Sequence, residues 1–213
     1  MIIAPSILSM DFAQMTHQLK QVKASKATWL HVDVMDGHFV PNLTFGPDLV
    51  KTIRTHSDLK LDVHIMVSDP LFFAPIFIEA GADLITFHTE ATQDIEGVIQ
   101  VIRQHGKQVG LSIKPATPIE TVYPYLSMVD LILIMSVEPG FGGQSFIDTT
   151  LSKISCLKAE LQRRGLKSLI EVDGGINAQT GKRVLDAGAD VLVAGSYIFK
   201  QDIITAVDSL WQK

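Results

Sequence analysis

The chain has 213 residues, 46% of them hydrophobic and 19% charged, with a formal net charge of −5. That is enough apolar material for one sizeable buried core, and the acidic balance offers no field for holding nucleic acid or an anionic membrane surface. A single cysteine, Cys156, excludes an internal disulfide framework and fits a reducing compartment.

Short β-branched runs alternate with longer amphipathic stretches along the chain. Ile2–Pro5 reads as a strand, without the basic and apolar regions of a signal peptide around it. Asp11 is the expected N-cap of a helix running to about Ala24. A second strand is predicted over Trp29–Met35, then a short helix over 47–55 and a third strand over 59–66. Asp69-Pro70 opens the next helix as N-cap and first helical residue. After the Ala80-Gly81-Ala82 turn come a strand over 83–88 and a helix over 94–104 that Gly106 stops. Gln108–Ile113 is the fifth strand, Thr117-Pro118 opens a further helix, and 130–137 is a nearly unbroken apolar strand. The longest helix is predicted over 146–164, closed by Gly165, with Cys156 filling core on it rather than acting as a nucleophile. Leu169–Asp173 is a strand, 177–187 a helix, 190–195 a strand and 203–212 a final helix. No apolar run approaches the ~18 residues of a membrane span, so a soluble cytoplasmic protein is expected.

Strand-then-helix alternation implies a parallel α/β sheet, and strands apolar throughout are those buried on both faces. Eight such units over residues 1–213, with no linker or low-complexity segment, predict a single-domain (β/α)₈ TIM barrel. A doubly wound open sheet is the competing arrangement, and no G-x-G-x-x-G follows the first strand to support it. The paired EAGAD (79–83) and DAGAD (186–190) turns are the only internal repetition and are read as structural.

Side chains two apart share a strand face. In a parallel barrel the C-terminal strand ends form one rim, where active sites sit. The polar residues gather there: Ser6, His31 and Asp33, His64, His88 and Glu90, Lys114, Glu138 and Asp173. His31, Asp33, His64 and Asp173 could hold a divalent ion such as Zn²⁺, Fe²⁺, Mn²⁺ or Co²⁺, or form a hydrogen-bonded network without one. Calcium is a poor match for imidazole. Gly140, Gly142, Gly143, Gly174, Gly175 and Gly195-Ser196 fall on three consecutive rim loops, where barrels commonly grip phosphate through backbone N–H groups. No Lys or Arg lies within these loops. Met35, Met66 and Met135, all at strand ends, either fill core or form an apolar wall around a reacting carbon.

With APSILS (4–9), HVDVMDGHFVPN (31–42), DVHIMV (62–67), MSVEPGFGGQSF (135–146), EVDGGI (171–176) and VAGSYIF (193–199) in this order, the chain resembles the ribulose-phosphate 3-epimerases over almost its whole length. The resemblance implies a (β/α)₈ barrel that interconverts D-ribulose 5-phosphate and D-xylulose 5-phosphate with one divalent metal ion. It implies that His31, Asp33, His64 and Asp173 are the metal ligands and that Asp33 and Asp173 are the acid/base pair. Ser6, His64, Gly140, Phe141, Gly142, Gly143, Asp173, Gly174, Gly175, Gly195 and Ser196 would contact substrate. Thr89 stands where the family often has proline, and Lys114 where it often has asparagine; Lys114 could alter sugar preference. The competing functions are a 3-epimerase of a longer ketose phosphate such as D-allulose 6-phosphate, a phosphate-binding lyase on the same barrel, and a non-catalytic phosphosugar-binding protein. Phe72 and Phe73 on an outer helix are explained equally by core packing and by a homo-oligomer interface.

Overall fold

The computed structural model describes residues 1–211. Eight strands, β1 (Ile2–Pro5), β2 (Trp29–Met35), β3 (Lys60–Met66), β4 (Leu84–His88), β5 (Gln108–Ile113), β6 (Leu131–Met135), β7 (Leu169–Asp173) and β8 (Val191–Ala194), form one sheet. Every neighbouring pair is parallel, in the order β1-β8-β7-β6-β5-β4-β3-β2. A parallel bridge between Ser6 and His31 joins the two ends and closes the barrel. The helices are α1 (Met15–Ala24), α2 (Pro47–His56), α3 (Pro70–Glu79), α4 (Ile95–Gln104), α5 (Thr150–Arg164), α6 (Ala178–Asp186), α7 (Ser196–Phe199) and α8 (Ile203–Leu210).

The period-two alternation of the strands sorts their side chains. Leu30, Val32, Val34, Val63 and Ile65 face outward into the main apolar cluster, which the helices complete. Val98, Ile99 and Ile102 of α4 are buried there. Each such side chain contributes about 1.5–3 kcal/mol relative to an exposed one. Ala4, Trp29, Leu84, Leu131, Leu133, Val191 and Val193 face inward and plug the barrel. The inward positions of β2, β3 and β7 are polar instead, and register brings them together. Asp33 lies opposite His64, and Met35 opposite Met66. Met135 lies opposite Asp173.

The opposite face of the barrel carries a repeated tie. Asp83 accepts the Leu61 N–H and the Arg54 guanidinium. Asp130 accepts the Val109 N–H and pairs with Arg103. Asp190 accepts the Ile170 N–H and pairs with Lys158. Each aspartate at the start of an even-numbered strand thus pins the preceding strand to an outer helix. The EAGAD and DAGAD turns are two of these ties, and they carry no chemistry.

Several boundaries differ from those expected. The segment after β5 is a 3₁₀ turn, Ile119–Tyr125, because Pro118 and Pro124 leave too few N–H groups for an α-helix. α5 starts at Thr150, not 146, because the Ile147 N–H donates to Ser136 O and ties that stretch to the end of β6. Gly165 does close α5, in the left-handed conformation. Cys156 is exposed on α5 and fills no core. The one-turn helix α7 after β8 was not anticipated. β4, β6 and β8 are each shorter than expected by at least one residue. The last residue of the expected final helix, Gln212, lies outside the described residues. No helix among the described residues is long and apolar enough to cross a membrane.

Candidate active site

The site is built on the inward face of β2. Asp33 is the hub: its Oδ2 accepts the Ser6 hydroxyl at 2.7 Å. Its Oδ1 faces His31 Nε2 at 3.2 Å and His64 Nδ1 at 3.1 Å. Behind His31, Nδ1 meets Asp62 Oδ2 at 2.6 Å, and Thr86 donates to the other Asp62 oxygen. His31, Asp62, His64 and Glu171 are fully buried. β2 ends sharply because Asp36 collects the N–H groups of His38, Phe39 and Ser68 and the Ser68 hydroxyl. Thr44 completes the strand end by donating to Asp33 O and accepting from Met35 N.

Burial and charge set different protonation states on this face. Burial would raise Asp33, but His31 and His64 outweigh it and hold the carboxyl far below the usual range. Burial pushes Asp173 up, and the Asp33 charge adds to it, to about 7. Burial alone would lower His31, yet Asp33 and Asp62 hold the imidazole well above its ordinary value. Desolvation lowers His64. Glu171 is pushed well up by burial and by Asp62 beside it, and its oxygens accept no hydrogen bond. Its charged form is disfavoured in this apolar setting beside the Asp62 carboxylate. With no ion bound, the two carboxyl groups at the top of the barrel are therefore set far apart in proton affinity, an arrangement that separates base from acid.

Above them opens a cavity of about 240 Å³. Ser6, Asp33 and Asp173 form its polar floor, and Met35, Met66 and Met135 its apolar wall. Gly140, Phe141, Gly142 and Gly143 line it from the loop after β6, Gly174 and Gly175 from the loop after β7, and Gly195 and Ser196 from the loop after β8. No lysine or arginine lines it. His31 and His64 lie beneath the floor and do not line the cavity.

The loop after β7 tolerates no side chain. Gly174 has φ +121, and a Cβ there would lie 2.8 Å from the backbone N of Val137. At Gly175, φ is +63 and a Cβ would lie 2.5 Å from the backbone N of Phe146. Ser136 Oγ holds the same turn by donating to the carbonyls of Asp173 and Gly174. Gly174→Ala is expected to lose at least about 3 kcal/mol through strain and overpacking, lowering Tm by roughly 6–12 °C. It should also displace Asp173 and raise KM; an unchanged melting curve would show that the turn relaxes freely.

Among the described residues, two groups of His, Asp and Glu place their donor atoms within 4.8 Å of one another: His31, Asp33, His64 and Asp173, and His31, Asp62 and Glu171. The first borders the cavity, and its two imidazoles and two carboxylates fit a divalent ion of the zinc, iron, manganese or cobalt type. The second is sealed inside the barrel, with His31 Nδ1 already bonded to Asp62, and it serves the first as support.

The family model described as "Ribulose-phosphate 3 epimerase family" matches residues 2–199. The chain belongs to this family. It is 46% identical to the ribulose-phosphate 3-epimerase of Bacillus subtilis over 93% of this chain and 92% of that one. It is 48% identical to that of Mycobacterium leprae over 93% of this chain and 88% of that one. Among solved structures, 3-hexulose-6-phosphate synthase from Salmonella typhimurium superposes with a TM-score of 0.73 at 18% identity, over 99% of this chain and 96% of that one. Orotidine 5'-phosphate decarboxylase from Pyrococcus horikoshii superposes at 0.70 and 14% identity, over 99% of this chain and 97% of that one. These last two likenesses show the barrel alone.

In this epimerase family member, four residues around the site escaped sequence reasoning as participants. Asp62 and Glu171 each lie two before a rim residue, on strands otherwise apolar at their centres. That period-two run of charge was the available signal. His88 and Glu90 were visible at the rim without a role. His88 is buried, its Nε2 lies 2.9 Å from His64 Nε2, and desolvation holds it at about 4. Lys114 lays its ammonium 4.0 Å over the Phe39 ring. It does not line the cavity.

Proposed function

We infer that this chain is an isomerase that interconverts D-ribulose 5-phosphate and D-xylulose 5-phosphate by inverting the carbon next to the carbonyl. The observation that carries the reading is the meeting of Asp33 and Asp173, from non-neighbouring strands, at the floor of a glycine-lined cavity. Inversion needs a proton removed from one face and another returned to the opposite face, which one base cannot easily do. Asp33, ionised and held by Ser6, is the base in one direction; Asp173 is the acid. The reverse reaction exchanges their roles. Loss of the proton leaves an enediolate, whose charge must be stabilised.

His31, Asp33, His64 and Asp173 would hold one divalent ion, which when bound supplies Lewis-acid stabilisation of negative charge on substrate oxygens. The phosphate would sit among the backbone N–H groups of the loops after β6, β7 and β8, beside the N-terminus of α6, which Asn177 caps. Neutral donors suit this acidic protein, and a remote grip supplies positioning energy. The three methionines would shed water from the reacting carbon. The closed barrel with one exposed cysteine accords with a cytoplasmic enzyme.

The test is a side-by-side assay on the five-carbon ketose phosphate and on D-allulose 6-phosphate, with proton exchange followed in deuterated water. The five-carbon substrate is expected to show kcat/KM higher by roughly 10-fold or more. Preference for the six-carbon sugar would make this a different 3-epimerase. Absence of exchange with either would leave only a phosphosugar-binding protein.

A further inference from the structure

A line of hydrogen-bonded groups runs from the hub of the site to the rim: Asp33, His64, His88, Glu90. Its outer end is fixed. Glu90 Oε1 accepts the Lys114 N–H at 2.8 Å and the Thr117 hydroxyl. These bonds, with that of His88, overcome burial and keep Glu90 at about 2, so it is an acceptor only. Its other oxygen lies 3.3 Å from His88 Nδ1. His88 therefore directs its Nδ1 hydrogen to that oxygen, and its Nε2 is left as the acceptor for the next group. That nitrogen faces His64 Nε2 at 2.9 Å. Two adjacent lone pairs would repel, so His64 carries its hydrogen on Nε2. Its Nδ1 is then left without a hydrogen 3.1 Å from Asp33 Oδ1, two facing acceptors that only a cation between them reconciles. The ring centroids of Phe39 and His64 each lie 4.9 Å from that of His88, with the rings tilted by 45° and 33° to it.

We propose that Glu90 and His88 are positioning residues that set the tautomer of His64, so that its Nδ1 is presented to a metal ion. The proposal rests on reading His31, Asp33, His64 and Asp173 as the metal site. Asp62 does the same for the other imidazole: a carboxylate on His31 Nδ1 leaves Nε2 for the site. For His64 the carboxylate acts through a second histidine, from the turn after β4. Partners of this kind typically change metal affinity by 10- to 100-fold.

The direction of the protons, not the bulk of the side chains, is what the experiment must read. In Glu90→Gln the amide oxygen takes the place that accepts from Lys114 and Thr117, and the NH₂ turns to His88 Nδ1. The whole line then reverses, and His64 Nδ1 acquires the hydrogen. Glu90→Ala removes the acceptor but imposes no wrong donor. Full-length protein, stripped of metal and titrated with Zn²⁺ against a chromophoric chelator, should bind about 10- to 100-fold more weakly as Glu90→Gln, with a smaller loss as Glu90→Ala. A merely structural glutamate would show the opposite order, with alanine the more damaging. Histidine ¹⁵N spectra of Zn²⁺-loaded wild type, which need no variant to fold, should place the His88 hydrogen on Nδ1.

A His88 hydrogen on Nε2 in that spectrum, wild-type affinity in Glu90→Gln, or a greater loss in Glu90→Ala would each overturn the proposal. Wild-type protein that takes up no Zn²⁺ would overturn the metal-site reading and the proposal with it. Uptake by the wild type with unchanged Glu90→Gln affinity would overturn the proposal alone.

Discussion

Replacing Asp33 or Asp173 with asparagine is expected to lower kcat for the five-carbon ketose phosphate by about 10⁴-fold, the upper end for a general acid/base. The two losses have different physical origins. In Asp173→Asn the group that burial and the Asp33 charge hold near 7 becomes an amide that neither gives nor takes a proton at any working pH. In Asp33→Asn a carboxylate that accepts from Ser6 and stands beside two imidazoles becomes a neutral amide that cannot take up a proton. The loops after β6 and β8 are distant in sequence, and neither substitution alters Gly174 or Gly175 beside Asp173, so KM should move far less than kcat. Tm should stay within a few degrees for Asp173→Asn, which relieves like-charge repulsion. Each variant keeps one carboxylate, so proton exchange with deuterated water should survive for one epimer at most. Turnover within about tenfold of wild type in either variant would sink the two-base scheme.

How far these roles could be read from the sequence depended on which rule governs each residue. Strand positions obey a period of two, so the face shared by His31 and Asp33 was legible, and so were the rim positions of His64 and Asp173. The Met35–Met66 and Met135–Asp173 juxtapositions were not, because lateral neighbours depend on register between strands. The same limit hid Asp62 and Glu171, whose interest lies in meeting His31 from two other strands. It also hid the His64–His88 contact, since two rim histidines show nothing of their ring orientation. The start of α5 was misplaced for a related reason. Residues 146–149 suit a helix locally, but the long-range bond from Ile147 to Ser136 competes and wins. Cys156 was taken as core on composition, although its place on α5 turns it outward. The glycine loops were legible as a group, yet only Gly174 and Gly175 show in their contacts why glycine is required.

Stripping the protein with a chelator is expected to lower activity by about 10³-fold, the equivalent of about 4 kcal/mol of lost charge stabilisation. Adding back Zn²⁺, Fe²⁺, Mn²⁺ or Co²⁺ should restore it. The protein's own groups also give this step a pH dependence. Metal ligands must shed their protons before they bind. In the metal-free protein His31 is held well above its ordinary value and Asp173 at about 7, so both carry protons at and below neutrality. Protons and metal therefore compete, and affinity must weaken as pH falls. For Asp173 alone, moving from about pH 8 to about pH 6 costs about 10-fold in apparent affinity, and His31 adds to it. Calorimetric titration in buffers of different ionisation enthalpy would show the released protons directly. Affinity that stays flat across this range would mean that Asp173 is not displaced from its proton by the metal, and so does not belong to the ligand set. Full activity in protein verified to be free of metal would remove the ion from the mechanism. The enediolate charge would then fall to Ser6, the buried histidines and the loop amides alone.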